Sequence, residues 1–362
     1  MNDYPREPNH SFHPLNLMKR LFHFSVLLFV GLFLVSCDTV STETVPDVRS
    51  MDRGGGGGGK VKVKGLESLV VMHEGQIVSE DYFSGTKSGQ LKHVRSVTKS
   101  IVSLLVGIAI DEGHLNGIDD TIGQYLSGIA NVNDKGNITI EQLLTMTGGF
   151  QWNEVFGNEF GQWIVSDNQL QYVLDKPLQN SPGTYYNYNT GATHVLGIVV
   201  AEASGMSLVD FADAHLFGPL GITSRAWDVD KQGRHYGGHG VQLLPTDVVK
   251  LGQLIINGGT YNNQQVVSSD WIQDSSAEQW QLEFSYGDLT DVDYGYLWYL
   301  DHGTGNEVVL GWGYGGQFVY TVPALDLVIG TTARWNVSAN KKTQQELAIL
   351  NHIVNTVLPE YD

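Results

Sequence analysis

Three Ser-x-x-Lys patterns occur in the chain: Ser84/Lys87, Ser96/Lys99 and Ser338/Lys341. A hydroxyl three residues before an amine is minimal equipment for nucleophilic catalysis with a built-in base, provided both share one helix face. Context separates the three. Ser84 and Ser338 stand in glycine- and asparagine-containing loop text. Ser96 alone opens a long apolar stretch, whose run from Ser100 to Glu112 has helical length and stops at Gly113, a natural C-terminal cap. A helix N-terminus presents free N–H groups and positive potential, which would favour an alkoxide or oxyanion there. Burial against the apolar run would draw a lysine down from about 10.4 and make Lys99 a base. Taken alone, the pair reads equally well as a capping serine with a solvated lysine one turn on.

Two further segments carry polar and aromatic groups at places where chain direction changes. Pro182-Gly183-Thr184-Tyr185-Tyr186-Asn187-Tyr188-Asn189-Thr190-Gly191 precedes an apolar helix, and simple turn chemistry also accounts for its tyrosines and asparagines. Leu310-Gly311-Trp312-Gly313-Tyr314-Gly315-Gly316-Gln317 leads into an apolar strand; its glycines mark a bulge or a close approach to a ligand.

In this order and spacing the three segments resemble the serine β-lactamase and penicillin-binding-protein superfamily, and more closely its class C-like esterases, DD-peptidases and 6-aminohexanoate-dimer hydrolases. Arg95-Ser96-Val97-Thr98-Lys99-Ser100 is similar to the first motif, and Leu143 to Gly149 to the helix-to-loop segment that follows it. Tyr188-Asn189-Thr190 is similar to Tyr-x-Asn/Ser, and Gly311-Trp312-Gly313 stands where the superfamily has Lys-Thr-Gly or His-x-Gly. The resemblance covers about 66–358. It implies that Ser96 attacks a carbonyl and becomes acylated, that Lys99 activates it, and that Tyr188 serves the leaving group and the deacylating water, with Lys99 as the cation that lowers the Tyr188 phenol. It also implies an oxyanion hole from the N–H groups of Ser96 and Tyr314, a substrate or orienting contact from Thr190, and no cofactor or metal. Lys99 and Tyr188 remain alternatives for the acylation base.

Gly311 departs from the pattern by carrying no charge for a substrate carboxylate. Trp312, Gly313, Trp152 and Phe156, with Tyr314, then imply an aromatic substrate cleft suited to an ester or a neutral amide; Arg334 is the candidate replacement cation. A retired ligand-binding relative and a true β-lactamase or DD-carboxypeptidase are the alternatives. No Gly-x-Ser-x-Gly occurs, which opposes a Ser-His-Asp hydrolase. His-Glu-x-x-His is absent, and His235 and His239 stand in glycine-rich text as loop histidines near the cleft.

The elements that must position these groups are legible in outline. Leu69 to Met72 and Ile77-Val78 flank Glu74-Gly75 and read as a hairpin. Thr139 with Gln142 is a capping box for a short helix through Leu144. Ala192 to Ala203 and Leu243 to Ile256 read as helices. The runs 296–299, 308–310, 318–321 and 327–329 read as strands, and 343–357 as a closing helix. Strands near both ends with helices between predict an α/β (α+β) fold: an antiparallel sheet flanked by helices with an inserted all-helical region, β-lactamase/transpeptidase-like. The hydrolase domain is placed at 64–362, its sheet part at about 64–95 and 241–362 and its helical part at about 96–240.

Composition fits such a domain. Hydrophobic residues make up 41% of 362, and 39 acids against 21 bases give a net charge of −18, which excludes nucleic acid as a partner. The single cysteine, Cys37, excludes a disulfide framework. It follows Met18-Lys19-Arg20 and an apolar run from Leu21 to Ser36, shorter than a membrane span needs. Leu34-Val35-Ser36-Cys37 resembles the lipobox of bacterial lipoprotein precursors. That resemblance implies a signal region at 1–37, lipidation of Cys37 and a membrane partner through that anchor. The location implied is the bacterial cell envelope, on its periplasmic or extracellular face. Residues 38–63, with Gly54 to Gly59 unbroken, read as a flexible tether.

Overall fold

A computed structural model of the protein describes residues 63–129, 132 and 135–362. Cys37, its apolar run and the glycine tract lie outside the described residues. Strand β1 (Leu66–His73) turns through Glu74 and Gly75, both at positive φ, into β2 (Gln76–Tyr82), which gives the predicted hairpin. A short β3 (Lys92–His93) pairs with β5 (Val241–Leu243), and β5 with β4 (Arg225–Trp227), in a separate three-stranded sheet. A ribbon of β6 (Thr260–Tyr261) and β7 (Gln264–Gln265) precedes β8 (Trp280–Tyr286) and β9 (Leu289–Tyr294). Strands β10 (Tyr299–Asp301), β11 (Val308–Gly313), β12 (Gln317–Val322) and β13 (Leu327–Ala333) complete the main sheet. Its order is β2-β1-β13-β12-β11-β10-β9-β8, so the first and last strands of the domain are neighbours. β1 and β13 pair antiparallel, Val70 opposite Gly330.

Both faces of this sheet are covered, because alternate residues of its central strands feed different cores. Val70, Met72 and Val328 point to a large core with α1 (Val97–Asp111). Leu69, Val71 and Ile329 point to a smaller one on the other side. α1 is buried continuously from Val97 to Ala109, as a helix apolar on all sides must be. The predicted box, Thr139 with Gln142, caps α2 (Ile140–Leu144). α3 (Thr190–Ser204) is capped at one end by the Asn189 side chain and closed at the other by Gly205 at φ 68°. α4 (Pro245–Ile256) covers β12 and β13, and α5 (Ala339–His352) the opposite face.

Four sequence expectations shift. Pro245 occupies the first turn of α4, so Leu243 closes β5 instead of starting the helix. In the 296–299 run only Tyr299 belongs to a strand; Leu297 takes φ +62° and breaks the extended path. Strands β8 and β9 were not anticipated, although Trp280, Leu282, Phe284 and Tyr286 alternate with polar residues at period two. The stretch 96–240, expected to be all-helical, carries its helices between long loops and also contains β4.

Candidate active site

The site begins at one turn of backbone. Gly238 and Gly313 bring two other chain stretches to it, each at a point where a Cβ would not fit. A Cβ on Gly313 would come 2.3 Å from the Val94 carbonyl oxygen, so the end of β11 lies against the residues just before Ser96. A Cβ on Gly238 would come 2.5 Å from the Thr190 carbonyl oxygen, so the 237–240 loop lies against the start of α3. Backbone can approach this closely only through glycine.

Lys99 is 2% exposed, and its Nζ lies within hydrogen-bond distance of three oxygens. They are Ser96 Oγ at 3.1 Å, Thr190 Oγ1 at 2.9 Å and the Gly238 carbonyl at 2.7 Å. The same Nζ stands 4.8 Å above the Tyr188 ring, and the Ser96 and Thr190 hydroxyls lie near enough to the Tyr188 phenol to favour its ionised form slightly. Ser96 and Lys99 from one stretch of chain and Tyr188 and Thr190 from another, about 90 residues on, therefore meet around one amine. Burial draws Lys99 from its usual range down to about 7, against the pull of Glu154 and with the help of Arg95. Near neutral pH a substantial fraction of this amine is thus uncharged. A neutral amine donates two bonds and accepts one. With Thr190 and the Gly238 carbonyl taking its protons, its lone pair faces Ser96.

Tyr188 behaves differently from the sequence expectation. Burial, with Tyr299 and Glu154 nearby, pushes its phenol well above 10, so it rests as a protonated donor and not as a phenolate. The cation above its ring does not reverse this, because Lys99 itself tends to the neutral form.

Tyr314, expected on the oxyanion side, stands in the turn between β11 and β12. The N–H groups of Ser96 and Tyr314 have no hydrogen-bond acceptor among the described residues. The turn is clamped from α5: Glu346, fully buried, accepts from the Gly315 N–H at 2.7 Å, from the Tyr286 hydroxyl at 2.8 Å and from Lys342 at 2.8 Å. The Tyr314 hydroxyl donates to the Val337 carbonyl at 3.2 Å.

The aromatic residues divide. Trp312 is half-buried and continues an aromatic wall through Tyr299 (5.2 Å between ring centres), Tyr294 (4.8 Å) and Tyr186 (5.2 Å). Phe156 is 92% exposed and belongs to no wall. Trp152 is 4% exposed and packs edge-on against Trp163 and Tyr172. Its indole N–H instead donates to Glu154 Oε2 at 2.8 Å. Glu154 was missed in the sequence, where nothing about Trp152-Asn153-Glu154 marks it. Its carboxylate also accepts from the Thr190 N–H at 2.8 Å and from Thr190 Oγ1 at 2.6 Å.

Arg334 is exposed. The guanidinium whose field reaches Lys99 and Tyr188 belongs to Arg95, held at φ +52° immediately before Ser96 and stacked 4.8 Å from the Trp335 ring. His239 adjoins Gly238, stacked on Tyr236 at 4.3 Å, and both its ring nitrogens are buried without a partner among the described residues. Burial pushes it well below 6.5, so it is neutral. His235 is half-exposed on the same loop. Among the described residues, Glu278, Asp293 and His302 have donor atoms within 4.8 Å of one another, close enough for a cation, and involve none of the groups around Ser96.

The family model described as Beta-lactamase matches residues 60–352. The 6-aminohexanoate-dimer hydrolase of Paenarthrobacter ureafaciens is 24% identical over 289 residues, which is 74% of this chain and 72% of that protein. Esterase EstB of Burkholderia gladioli is 28% identical over 179 residues, 45% of this chain and 43% of that enzyme. Among solved structures, a Bacillus anthracis protein described provisionally as a 6-aminohexanoate-dimer hydrolase superposes with a TM-score of 0.68 at 20% identity, covering 82% of this chain and 80% of the other. At that identity the superposition speaks for the fold.

Proposed function

The chain belongs to the Beta-lactamase family of serine hydrolases, and from that premise we propose that it hydrolyses an ester or amide through an acyl-enzyme on Ser96, while held at a membrane by a lipid on Cys37. The observation that carries the catalytic part is the neutral-tending amine of Lys99, 3.1 Å from Ser96 Oγ, with its other two donor directions already taken.

In this reading Lys99 Nζ takes the Ser96 proton as Oγ attacks the substrate carbonyl. The oxygen that gains charge lies between the N–H groups of Ser96 and Tyr314, a contact of a kind that contributes about 2.7–4 kcal/mol per donor. The tetrahedral adduct then expels its alkoxide or amine, which takes the Tyr188 hydroxyl proton; the proton held by Lys99 restores Tyr188. Water attacks the acyl-enzyme and gives up a proton to the same pair. The carboxylic acid leaves as Ser96 Oγ is reprotonated. Gly311 offers no cation and Trp312 continues an aromatic wall, which favours an ester or neutral amide over a substrate that needs a charged grip on the third motif.

The test is a panel of activated esters, amides and a β-lactam, with a fluorophosphonate as covalent probe. The protein is expected to take up the probe and to turn over esters, and Ser96→Ala and Lys99→Ala to lose both while remaining folded. Retained turnover in either variant removes the mechanism; an unlabelled wild type identifies a ligand-binding relative. For the anchor, Cys37→Ser is expected to move the protein from the detergent-rich to the aqueous phase.

A further inference from the structure

We infer that Glu154 is a positioning residue of this hydrolase: by accepting the Thr190 hydroxyl proton it fixes which way that hydroxyl points, and so aims the Lys99 lone pair at Ser96. The inference rests on the acyl-enzyme reading above and names a member of the machinery that no motif contains.

Thr190 Oγ1 has one proton and two lone pairs. Glu154, as a carboxylate, is acceptor-only, so the 2.6 Å bond to Thr190 Oγ1 must carry the threonine proton. Thr190 Oγ1 is then left as an acceptor toward Lys99 Nζ at 2.9 Å. The Gly238 carbonyl at 2.7 Å is an acceptor by nature. Two fixed acceptors take the two protons of the neutral amine, and the remaining direction, Ser96 Oγ at 3.1 Å, receives the lone pair. Without the carboxylate, the Thr190 hydroxyl is free to turn its proton toward Lys99, and the lone pair then points away from the nucleophile.

Glu154 is itself held. The indole N–H of Trp152 and the N–H of Thr190 both bond Oε2, which leaves Oε1 for the threonine hydroxyl. The buried indole, packed against Trp163 and Tyr172, is thus a pillar for the carboxylate. Glu154 bonds neither Ser96 nor Lys99, so it does not exchange protons with substrate.

The same carboxylate also acts at a distance. The charged and titratable groups facing Lys99 are Glu154, which favours its ammonium, Arg95, which opposes it, the neutral His239 and the protonated Tyr188. Bonds of 2.9 and 2.6 Å in series keep Glu154 within about 5.5 Å of Nζ. Glu154→Gln therefore has two effects. The acid limb of kcat/KM moves to lower pH, by about one unit. The plateau above that limb falls at least about tenfold, because the amide can donate to Thr190 and release its orientation. KM changes little.

The readouts are the pH dependence of ester turnover and of the rate at which fluorophosphonate labels Ser96, with the full chain in mild detergent. Expected are a lower limb and a lower plateau for Glu154→Gln, a lower plateau for Thr190→Val, and recovery of most of the plateau in Thr190→Ser, which keeps the hydroxyl. A merely structural Glu154 would lower the active fraction without moving the limb. An unmoved limb or an undiminished plateau in Glu154→Gln overturns the inference. If that variant does not fold, Thr190→Val at wild-type rate overturns it instead. A wild type that takes no label overturns the proposed function, a separate result.

Discussion

Lys99→Met is expected to make the protein more stable, and to do so most strongly near neutral pH. Lys99 is 2% exposed, and burial brings it to about 7; in the unfolded chain it titrates near its ordinary value of about 10.4. Between these values the unfolded state binds a proton that the folded state has shed, so stability rises with pH, by about 1.4 kcal/mol per pH unit. Below about pH 7 both states carry the proton and the whole penalty of the buried ammonium is present; above about 10.4 neither does. Between pH 7.5 and 9.5 the penalty falls by about 2.5 kcal/mol. Methionine keeps a stem of similar length and has no charge to bury. Urea unfolding of both proteins at pH 7.5, 8.5 and 9.5 measures the gap, and the tyrosines that titrate at high pH are common to both and cancel in the difference. The advantage of Lys99→Met should shrink by about 2.5 kcal/mol across that range. A gap constant to within about 0.5 kcal/mol would mean that Lys99 titrates alike folded and unfolded, and the account of it as a neutral base would be wrong.

Arg95→Gln should shift the acid limb of ester turnover to higher pH, the opposite direction to Glu154→Gln, because the guanidinium disfavours the Lys99 ammonium and its loss lets the amine hold its proton longer; kcat/KM profiles of the two variants side by side decide the sign. Glu346→Ala should lower kcat about tenfold or more and stability by about 3 kcal/mol, since the Gly315 N–H and Lys342 both lose their buried partner and the turn carrying Tyr314 is released. Glu346→Gln, which can still accept from Gly315, should lose much less of kcat, and equal losses in the two variants would show that the clamp does not act through that turn.

The parts of the fold that the sequence makes plain are those governed by local rules. The hairpin at Glu74-Gly75 follows from a turn that needs two residues at positive φ, and the cap at Thr139 from a side chain that replaces a missing acceptor. The end of α3 at Gly205 is equally local. Strands β8 and β9 lie at one edge of the sheet, where β8 is only half covered and its alternation of Trp280, Leu282, Phe284 and Tyr286 is diluted by intervening polar residues. In the site, Ser96, Lys99 and Tyr188 could be singled out because each stands beside the start of an apolar helix. Glu154 could not. Its contribution depends on Trp152 being buried edge-on among other rings and on Thr190 lying close enough to bond, and both are facts of tertiary packing. Phe156 illustrates the converse: an aromatic residue two positions beyond Glu154 looks like cleft lining in the sequence and stands 92% exposed in the structure.

The cost of this arrangement is concentrated in six residues, 94–99, and that concentration is itself informative. Arg95 takes φ +52°, a left-handed conformation unfavourable for a residue with a long side chain, and its Nε is buried without a partner among the described residues. Lys99, four residues on, places an amine in an apolar helix. Each departs from a local folding rule, and packing elsewhere must offset both. The surrounding elements are suited to that task. α1 is covered on every side by the larger core, so the turn at its N-terminus cannot relax by moving the helix. The close approach of Gly313 to Val94 prevents the turn from opening toward β11. Were Lys99 a solvated residue one turn after a capping serine, neither the left-handed Arg95 nor the burial of the amine would be needed. An exposed lysine would satisfy the helix at no energetic cost. The strain and the desolvation have a common product, a lone pair directed at a hydroxyl near neutral pH, and that product has chemical use only if Ser96 is a nucleophile.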